Sequence, residues 1–237
     1  ADELMKTMSA SPGSTAAYWS HELYRGPRGE KISVYYGRSL KTSENVAQFF
    51  LGKPLLGFDM EWRPNATKSS GTKANVSLIQ LACEDRIGLF HLALHRGDSV
   101  EDIMPPTLRK ILESQDVAKV GVAILADYTR LQKHLGIQPS GLIELSHLHN
   151  LVMYSGSRPE MVTRKMVSLA NQVQSHLQLP LYKGTVRTSD WGKELNHQQV
   201  VYAANDVYAG FRLYHVLESK RLAMNPVPPQ PDFAERG

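Results

Sequence analysis

Leu55-Leu56-Gly57-Phe58-Asp59-Met60-Glu61-Trp62 decides the fold of this 237-residue chain. The run is too apolar for an exposed edge and reads as a central strand whose C-terminal end opens into a site. Side chains two apart in a strand share a face, so Asp59 and Glu61 project together while Phe58 and Met60 point the other way. Two like charges at the end of a buried strand are costly unless a cation neutralises them, and a metal ion is the natural compensation.

On the N-terminal side, Ile32, Val34 and Tyr36 alternate as a strand, and Ser43 is positioned to cap a helix ending near Gly52. On the C-terminal side, residues 76–83 and 87–92 are β-like runs joined by Glu84-Asp85-Arg86, which predicts an antiparallel hairpin. A helix from Pro105, a strand at 117–122, a helix at 127–135 and a short strand at 142–145 then alternate as α/β proteins do. The last third is helical. Residues 168–177 repeat apolar positions at helical spacing, and Asn196-His197-Gln198-Gln199 is a capping box opening a helix that runs to about residue 223.

Residues 1–30, rich in Ser, Gly and Pro, and residues 224–237, with four prolines, are expected to be loose arms around a body spanning 31–223. Hydrophobic residues at 42% and charged residues at 21% are ordinary globular values, and no apolar run approaches the roughly 20 residues that span a bilayer, so no membrane association is expected. The single cysteine, Cys83, excludes an internal disulfide and points to a reducing, intracellular compartment. A net charge of +4 and a pI near 9.1 suit nucleic-acid binding and suit a slightly basic soluble enzyme equally well. The chain carries no GxxxxGK[ST] loop, which argues against ATP hydrolysis, and no zinc site is expected.

Two further acidic positions extend the first pair. Asp127 follows the strand at 117–122 and begins a helical pattern with Leu131 and Leu135; taken alone, it is explained as a helix cap. Tyr202 and Asp206 lie four apart on one face of the last helix, with Ala203 and Ala204 beside them allowing close approach of a neighbouring backbone. Each feature means little alone. The ordered set is specific: D-x-E on a strand, Asp after a later strand, and Y-x-x-x-D on a late helix.

This set resembles the tyrosine subtype of the DEDD exonuclease superfamily, the group that includes ribonuclease D, proofreading domains and the exonuclease domain of the Werner syndrome helicase. The likeness extends over residues 31–220. It includes Phe58-Asp59-Met60-Glu61-Trp62, Ser77-Leu78-Ile79-Gln80-Leu81, Val120-Gly121-Val122, Thr188-Ser189-Asp190-Trp191 and Tyr202-Ala203-Ala204-Asn205-Asp206 with the Val207-Tyr208-Ala209-Gly210 that follows. The resemblance implies a ribonuclease H-like α/β fold: a mixed sheet, its first strands antiparallel, flanked by helices. Two positions depart from the pattern. Ala126 stands where relatives often carry Gly, and Thr129 where the Werner-like branch can carry an aromatic residue, for which Tyr128 is the available substitute.

What the resemblance implies about chemistry is specific. Asp59, Glu61, Asp127 and Asp206 hold two divalent metal ions, with Asp59 bridging both; an all-carboxylate set suits Mg²⁺ or Mn²⁺ better than Zn²⁺. Tyr202 orients the nucleophilic water. The activity implied is hydrolysis from a 3′ end, on DNA or RNA, with DNA favoured by the likeness of Trp62 and residues 188–191 to the Werner-like branch, and with a nuclear location expected. Substrate contacts are expected from Met60, Trp62 and Tyr128, and from cations of the loop 63–73 and the segment 183–187, among them Lys183 and Arg187. Two other readings stand beside this one. One is an RNA-processing exonuclease of the ribonuclease D kind, and the other is a silent module that binds nucleic acid or protein, against which the intact five-residue set argues.

Overall fold

The computed structural model of the protein describes residues 18–182 and 184–236. Six strands form one sheet: β1 (Ser33–Gly37), β2 (Leu55–Glu61), β3 (Leu78–Ala82), β4 (Arg86–Phe90), β5 (Ala118–Gly121) and β6 (Leu142–Glu144). Among the described residues eight α-helices accompany them: α1 (Leu40–Gln48), α2 (Thr72–Asn75), α3 (Val100–Ile103), α4 (Pro106–Glu113), α5 (Ile124–Leu135), α6 (Leu145–Tyr154), α7 (Leu169–Leu177) and α8 (His197–Leu222).

The sheet order is β1-β4-β3-β2-β5-β6, which puts the apolar strand β2 near its centre. β3 and β4 form the expected antiparallel hairpin, and β2 pairs antiparallel with β3. β5 joins β2 in parallel, β6 joins β5 in parallel, and β1 lies parallel to β4 at the far edge. Each sheet face carries its own core. Phe58 and Met60 of β2 and Ile79 and Leu81 of β3 meet α1, α4 and α5 on one side. Leu78 and Ala82 of β3 and Val120 of β5 meet α6, α7 and α8 on the other. The alternation of Phe58 and Met60 against Asp59 and Glu61 therefore separates a packed face from a face that ends in acids.

Three expectations change. Helix α1 is capped by Ser39, which forms a capping box with Thr42, while Ser43 sits buried inside the helix with its hydroxyl 2.9 Å from Nε2 of His95. Ser39-x-x-Thr42 supplies two reciprocal bonds, which Ser43 has no partner to match. The arms are the second and third corrections, within the described residues. Trp19 is buried, its ring stacked on Tyr208, and the backbone N–H of His21 donates to Oδ1 of Asn205 on α8 at 3.0 Å. At the other end Ala234 is buried, and the Glu235 carboxylate accepts from the N–H groups of Gly141 and Leu142 at 2.6 and 3.0 Å, satisfying backbone donors where the edge strand β6 begins. One aromatic residue and one well-placed acid tie down segments whose average composition is that of a loose chain. The first 17 residues of the expected N-terminal arm lie outside the described residues. Among the described residues no helix is long and apolar enough to cross a membrane.

Candidate active site

The end of β2 is open because its two neighbours end at different places. Pairing with β5 stops at Gly57 opposite Val120, whereas pairing with β3 continues to Glu61 opposite Leu78. Asp59 and Glu61 therefore extend beyond the parallel ladder, where the chain leaving β5 turns aside. That turn is tight: Ala123 takes a left-handed conformation, φ 58° and ψ 28°, and serves as the N-cap of α5. A non-glycine residue there stores about 1–3 kcal/mol of strain. The buried Glu144 at the end of β6 offsets it by accepting the N–H of Ile124 at 3.2 Å and that of Ser146 at 3.0 Å. Asp127 is thus held one turn inside α5 and is not its cap.

α8 supplies the remaining side chains. Asn196 and Gln199 close its N-terminus with the expected capping box, and the helix crosses β2 at Gly57. A Cβ on Gly57 would lie 2.6 Å from the carbonyl of Val207, so only glycine admits this approach. Asp206, the neighbour of Val207, comes to the end of β2, and Tyr202 follows one turn earlier with its ring 6.0 Å from that of the buried Trp191. Asp59, Glu61, Asp127, Tyr202 and Asp206 together line one cleft of about 420 Å³.

Electrostatics in this cleft are strongly unfavourable to charge. Burial pushes the Asp59 carboxyl up to about 7, opposed only by the N–H that Met60 donates at 2.9 Å. Burial is also the largest cause for the other three acids, which lie well above the usual carboxylate range, and Asp59 adds repulsion in each case. Arg187 at the rim lowers Glu61, and Arg130 lowers Asp127. Tyr202 is pushed far up, first by burial and then by Asp206, Glu61 and Asp59, so it keeps its proton and acts as a donor. None of the four acids forms a salt bridge among the described residues. Gln80, directly opposite Asp59 in the sheet and fully buried, has no partner for either amide atom among them. Four carboxylates that line one cleft and make no salt bridge among the described residues are hard oxygen donors of the kind a divalent cation takes, so the residues fit one. Among the described residues, three ligand-type side chains with their ligand atoms within 4.8 Å of one another are found at Cys83, Glu84 and Asp85, and there Lys53 and Arg86 already pair with the two carboxylates. His91 and His95, four apart, have both ring nitrogens engaged.

The expected substrate contacts divide. Arg187 and Trp62 line the cleft, and the guanidinium of Arg130 covers the Trp62 ring at 4.3 Å. Met60 borders the cleft but is 2% exposed, its side chain turned by the strand period into the core with Phe58, so it offers a nucleotide almost no surface. Tyr128 is a correction. It is wholly buried, its ring 5.0 Å from Phe58 and its hydroxyl donating to the Leu112 carbonyl at 3.2 Å. One residue past Asp127 the helix has rotated about 100°, and Tyr128 joins Ile124, Leu131 and Leu135 on the core stripe. Thr129 is exposed, with its hydroxyl on the Leu125 carbonyl at 2.8 Å. Lys183 lies outside the described residues. Sequence reasoning missed Ala123, Leu169 and Gly210 in the cleft wall, and missed Glu144; the only sign of the last is an acid between a short strand and a helix.

The model of a family described as 3′-5′ exonuclease matches residues 38–221. The mouse (Mus musculus) bifunctional 3′-5′ exonuclease/ATP-dependent helicase WRN is 29% identical over 178 residues, 74% of this chain and 12% of that protein. The Drosophila melanogaster exonuclease 3′-5′ domain-containing protein 2 is 32% identical over 165 residues, 69% of this chain and 25% of that protein. The chain thus spans an eighth to a quarter of these two relatives. Among solved structures, the Aedes aegypti Nibbler EXO domain superposes with a TM-score of 0.66 at 23% identity, over 81% of this chain and 90% of that one. Trypanosoma brucei RNase D in complex with RNA U12 superposes with a TM-score of 0.66 at 16% identity, over 84% and 66%. These structures show the shared ribonuclease H-like fold. With the match covering most of its length, this chain belongs to the 3′-5′ exonuclease family.

Proposed function

We propose that this domain removes mononucleotides from the 3′ end of a nucleic-acid strand, preferring DNA, with two Mg²⁺ or Mn²⁺ ions held by Asp59, Glu61, Asp127 and Asp206. The observation that carries the reading is the convergence of these four acids and Tyr202 in one cleft, with no salt bridge to any of the four acids among the described residues. Ions held there supply Lewis acidity at the scissile phosphodiester and neutralise the departing 3′ oxygen.

The chain's own groups do the rest. Water attacks phosphorus, the bond to the 3′ oxygen of the preceding nucleotide breaks, and a 5′-mononucleotide leaves. Tyr202, protonated throughout the neutral range, donates to and orients the attacking water beside Asp206. Arg187 holds the scissile phosphate at the rim, and Trp62 takes the terminal base. The preference for DNA rests on the likeness of Trp62 and residues 188–191 to the Werner-like branch. An RNA substrate is the second reading, favoured by the similarity in fold to an RNase D solved with RNA. A nuclear, reducing setting suits the lone buried cysteine.

Time courses on matched DNA and RNA oligonucleotides, labelled at the 5′ end and incubated with Mg²⁺, Mn²⁺ or EDTA, test the reading. A ladder shortening from the 3′ end only with metal, faster on DNA, is expected. Faster loss of RNA overturns the substrate, and shortening from the 5′ end overturns the polarity.

A further inference from the structure

A second cavity, of about 360 Å³, adjoins the cleft and shares Pro64 and Thr188 with it. Its walls include Arg63, Asn65 and Ser70 on one side and Asp190 on the other. Both walls are fixed. The N–H of Arg63 donates to the Ala74 carbonyl at 2.9 Å, and Nδ2 of Asn75 donates to the carbonyls of Thr67 and Gly71 at 2.8 and 2.9 Å. Opposite, Nε2 of Gln199, from the start of α8, donates to Oγ of Ser189 at 2.9 Å and to the Asp190 carbonyl at 3.3 Å.

Arg63 crosses this cavity. Its stem lies against Gly192, where a Cβ would come within 2.9 Å of Cδ, so glycine leaves the room the side chain uses. Its Nε is 3.5 Å from Oδ1 of Asp190, with the two side chains 56% and 37% exposed. A single long contact at such exposure holds the pair weakly. Asp190 has other partners, the N–H of Gly192 at 2.9 Å and Nζ of Lys193 at 3.5 Å, so it remains paired when Arg63 turns away. The guanidinium has donors to offer a phosphate in the bidentate geometry that arginine favours.

We infer that this second cavity is a binding site for the phosphodiester next in line on the 5′ side of the scissile one, with Arg63 as its ligand and Asp190 as a competing anion that the strand displaces. The inference rests on the exonuclease reading for the direction of the strand. A mononucleotide occupies the catalytic cleft alone, whereas a longer strand reaches both. Asp190 makes Arg63 available to a phosphate in the right place and keeps it from binding anions at large.

The experiment measures binding with Ca²⁺ in place of Mg²⁺, comparing dTMP with a fluorescent thymidine decamer in the parent, Arg63→Ala and Asp190→Asn. Arg63→Ala is expected to weaken decamer binding about tenfold, the weight of one charge-assisted hydrogen bond, and to leave dTMP affinity unchanged. The slope of log affinity against log salt for the decamer falls by about 0.7, as for one phosphate contact on a single strand. Asp190→Asn keeps an oxygen for Gly192, loses the competing charge and tightens decamer binding. Equal losses for the two ligands, no loss for either, or weaker binding by Asp190→Asn overturns the inference. A parent that shows this binding contrast yet degrades neither DNA nor RNA defeats the exonuclease reading and leaves the phosphate site standing.

Discussion

Glu144 accepts the N–H of Ile124 at 3.2 Å, and through this bond the end of β6 fixes the entry to the helix that presents Asp127. The same carboxylate caps α6 through Ser146, so one buried side chain closes two helix N-termini. Glu144→Ala leaves those N–H groups unpaired, at a cost of about 1–3 kcal/mol for an unsatisfied buried group. It is expected to lower the melting temperature and to raise the Mn²⁺ concentration for half-maximal activity by roughly 10 to 100-fold, as loss of an outer-shell support does. Glu144→Gln retains an acceptor and loses less on both measures. A lower melting temperature with unchanged metal requirement limits Glu144 to stability.

Much of this was legible in sequence because the relevant signals are local. The apolar run before Asp59 marks a central strand, Glu84-Asp85-Arg86 marks the hairpin, and Asn196 with Gln199 marks the start of α8. What was not legible depends on phase or distance. Tyr128 looks available beside Asp127, and only its angular position on α5 sends it to the core. Ser43 reads as the cap of α1, and only the pairing of Ser39 with Thr42 in the structure moves the start of the helix upstream. The anchoring of Trp19 by α8 and of Glu235 by the sheet edge joins segments far apart in sequence, and composition carries no trace of it.

Asp59→Ala and Asp206→Ala each remove a proposed metal ligand and relieve repulsion among buried acids. Nuclease activity is expected to fall by more than 100-fold, beyond the 10 to 100-fold typical of outer-shell changes, while the melting temperature in EDTA holds or rises. Activity within about threefold of the parent, an allowance set against those magnitudes, removes these residues from the site.

Tyr202→Phe takes away one hydroxyl beside Asp206 and keeps the packing against Trp191. Single-turnover hydrolysis is expected to slow by roughly 10 to 100-fold with the metal titration nearly unchanged. An unaltered single-turnover rate makes Tyr202 a packing residue.

Trp62 is held in orientation by Arg130, which donates to Oδ1 of Asn75 at 2.7 Å while covering the indole at 4.3 Å. Stacking of a terminal base on Trp62 is worth about 1–3 kcal/mol, so Trp62→Ala is expected to raise KM by roughly 10 to 100-fold for DNA and RNA alike. Inhibition by dTMP weakens in parallel. Loss on one nucleic acid alone gives Trp62 a sugar-sensing role in place of a stacking one.

The acids in the cleft set the pH dependence of stability, and the sign follows from Asp59. Its folded value of about 7 stands above the ordinary 3.8, so between these limits the folded chain keeps a proton that the unfolded chain has released. Stability from this group falls as pH rises through that window and is level above about 7. His91 and His176, held down to about 4 chiefly by burial, act oppositely: the unfolded chain binds their protons first, and stability rises from about 4 to 6.5. The parent curve mixes the two, and the difference from Asp59→Asn isolates the acid. In EDTA the melting temperature of Asp59→Asn minus that of the parent is expected to grow from pH 4 to pH 7. Mn²⁺, which competes with protons for these oxygens, is expected to raise the parent's melting temperature more at pH 7.5 than at pH 5.5 and to have a smaller effect on Asp59→Asn. A difference that shrinks with pH, or a Mn²⁺ shift equal at both values, means that Asp59 is already ionised and neutralised within the folded chain.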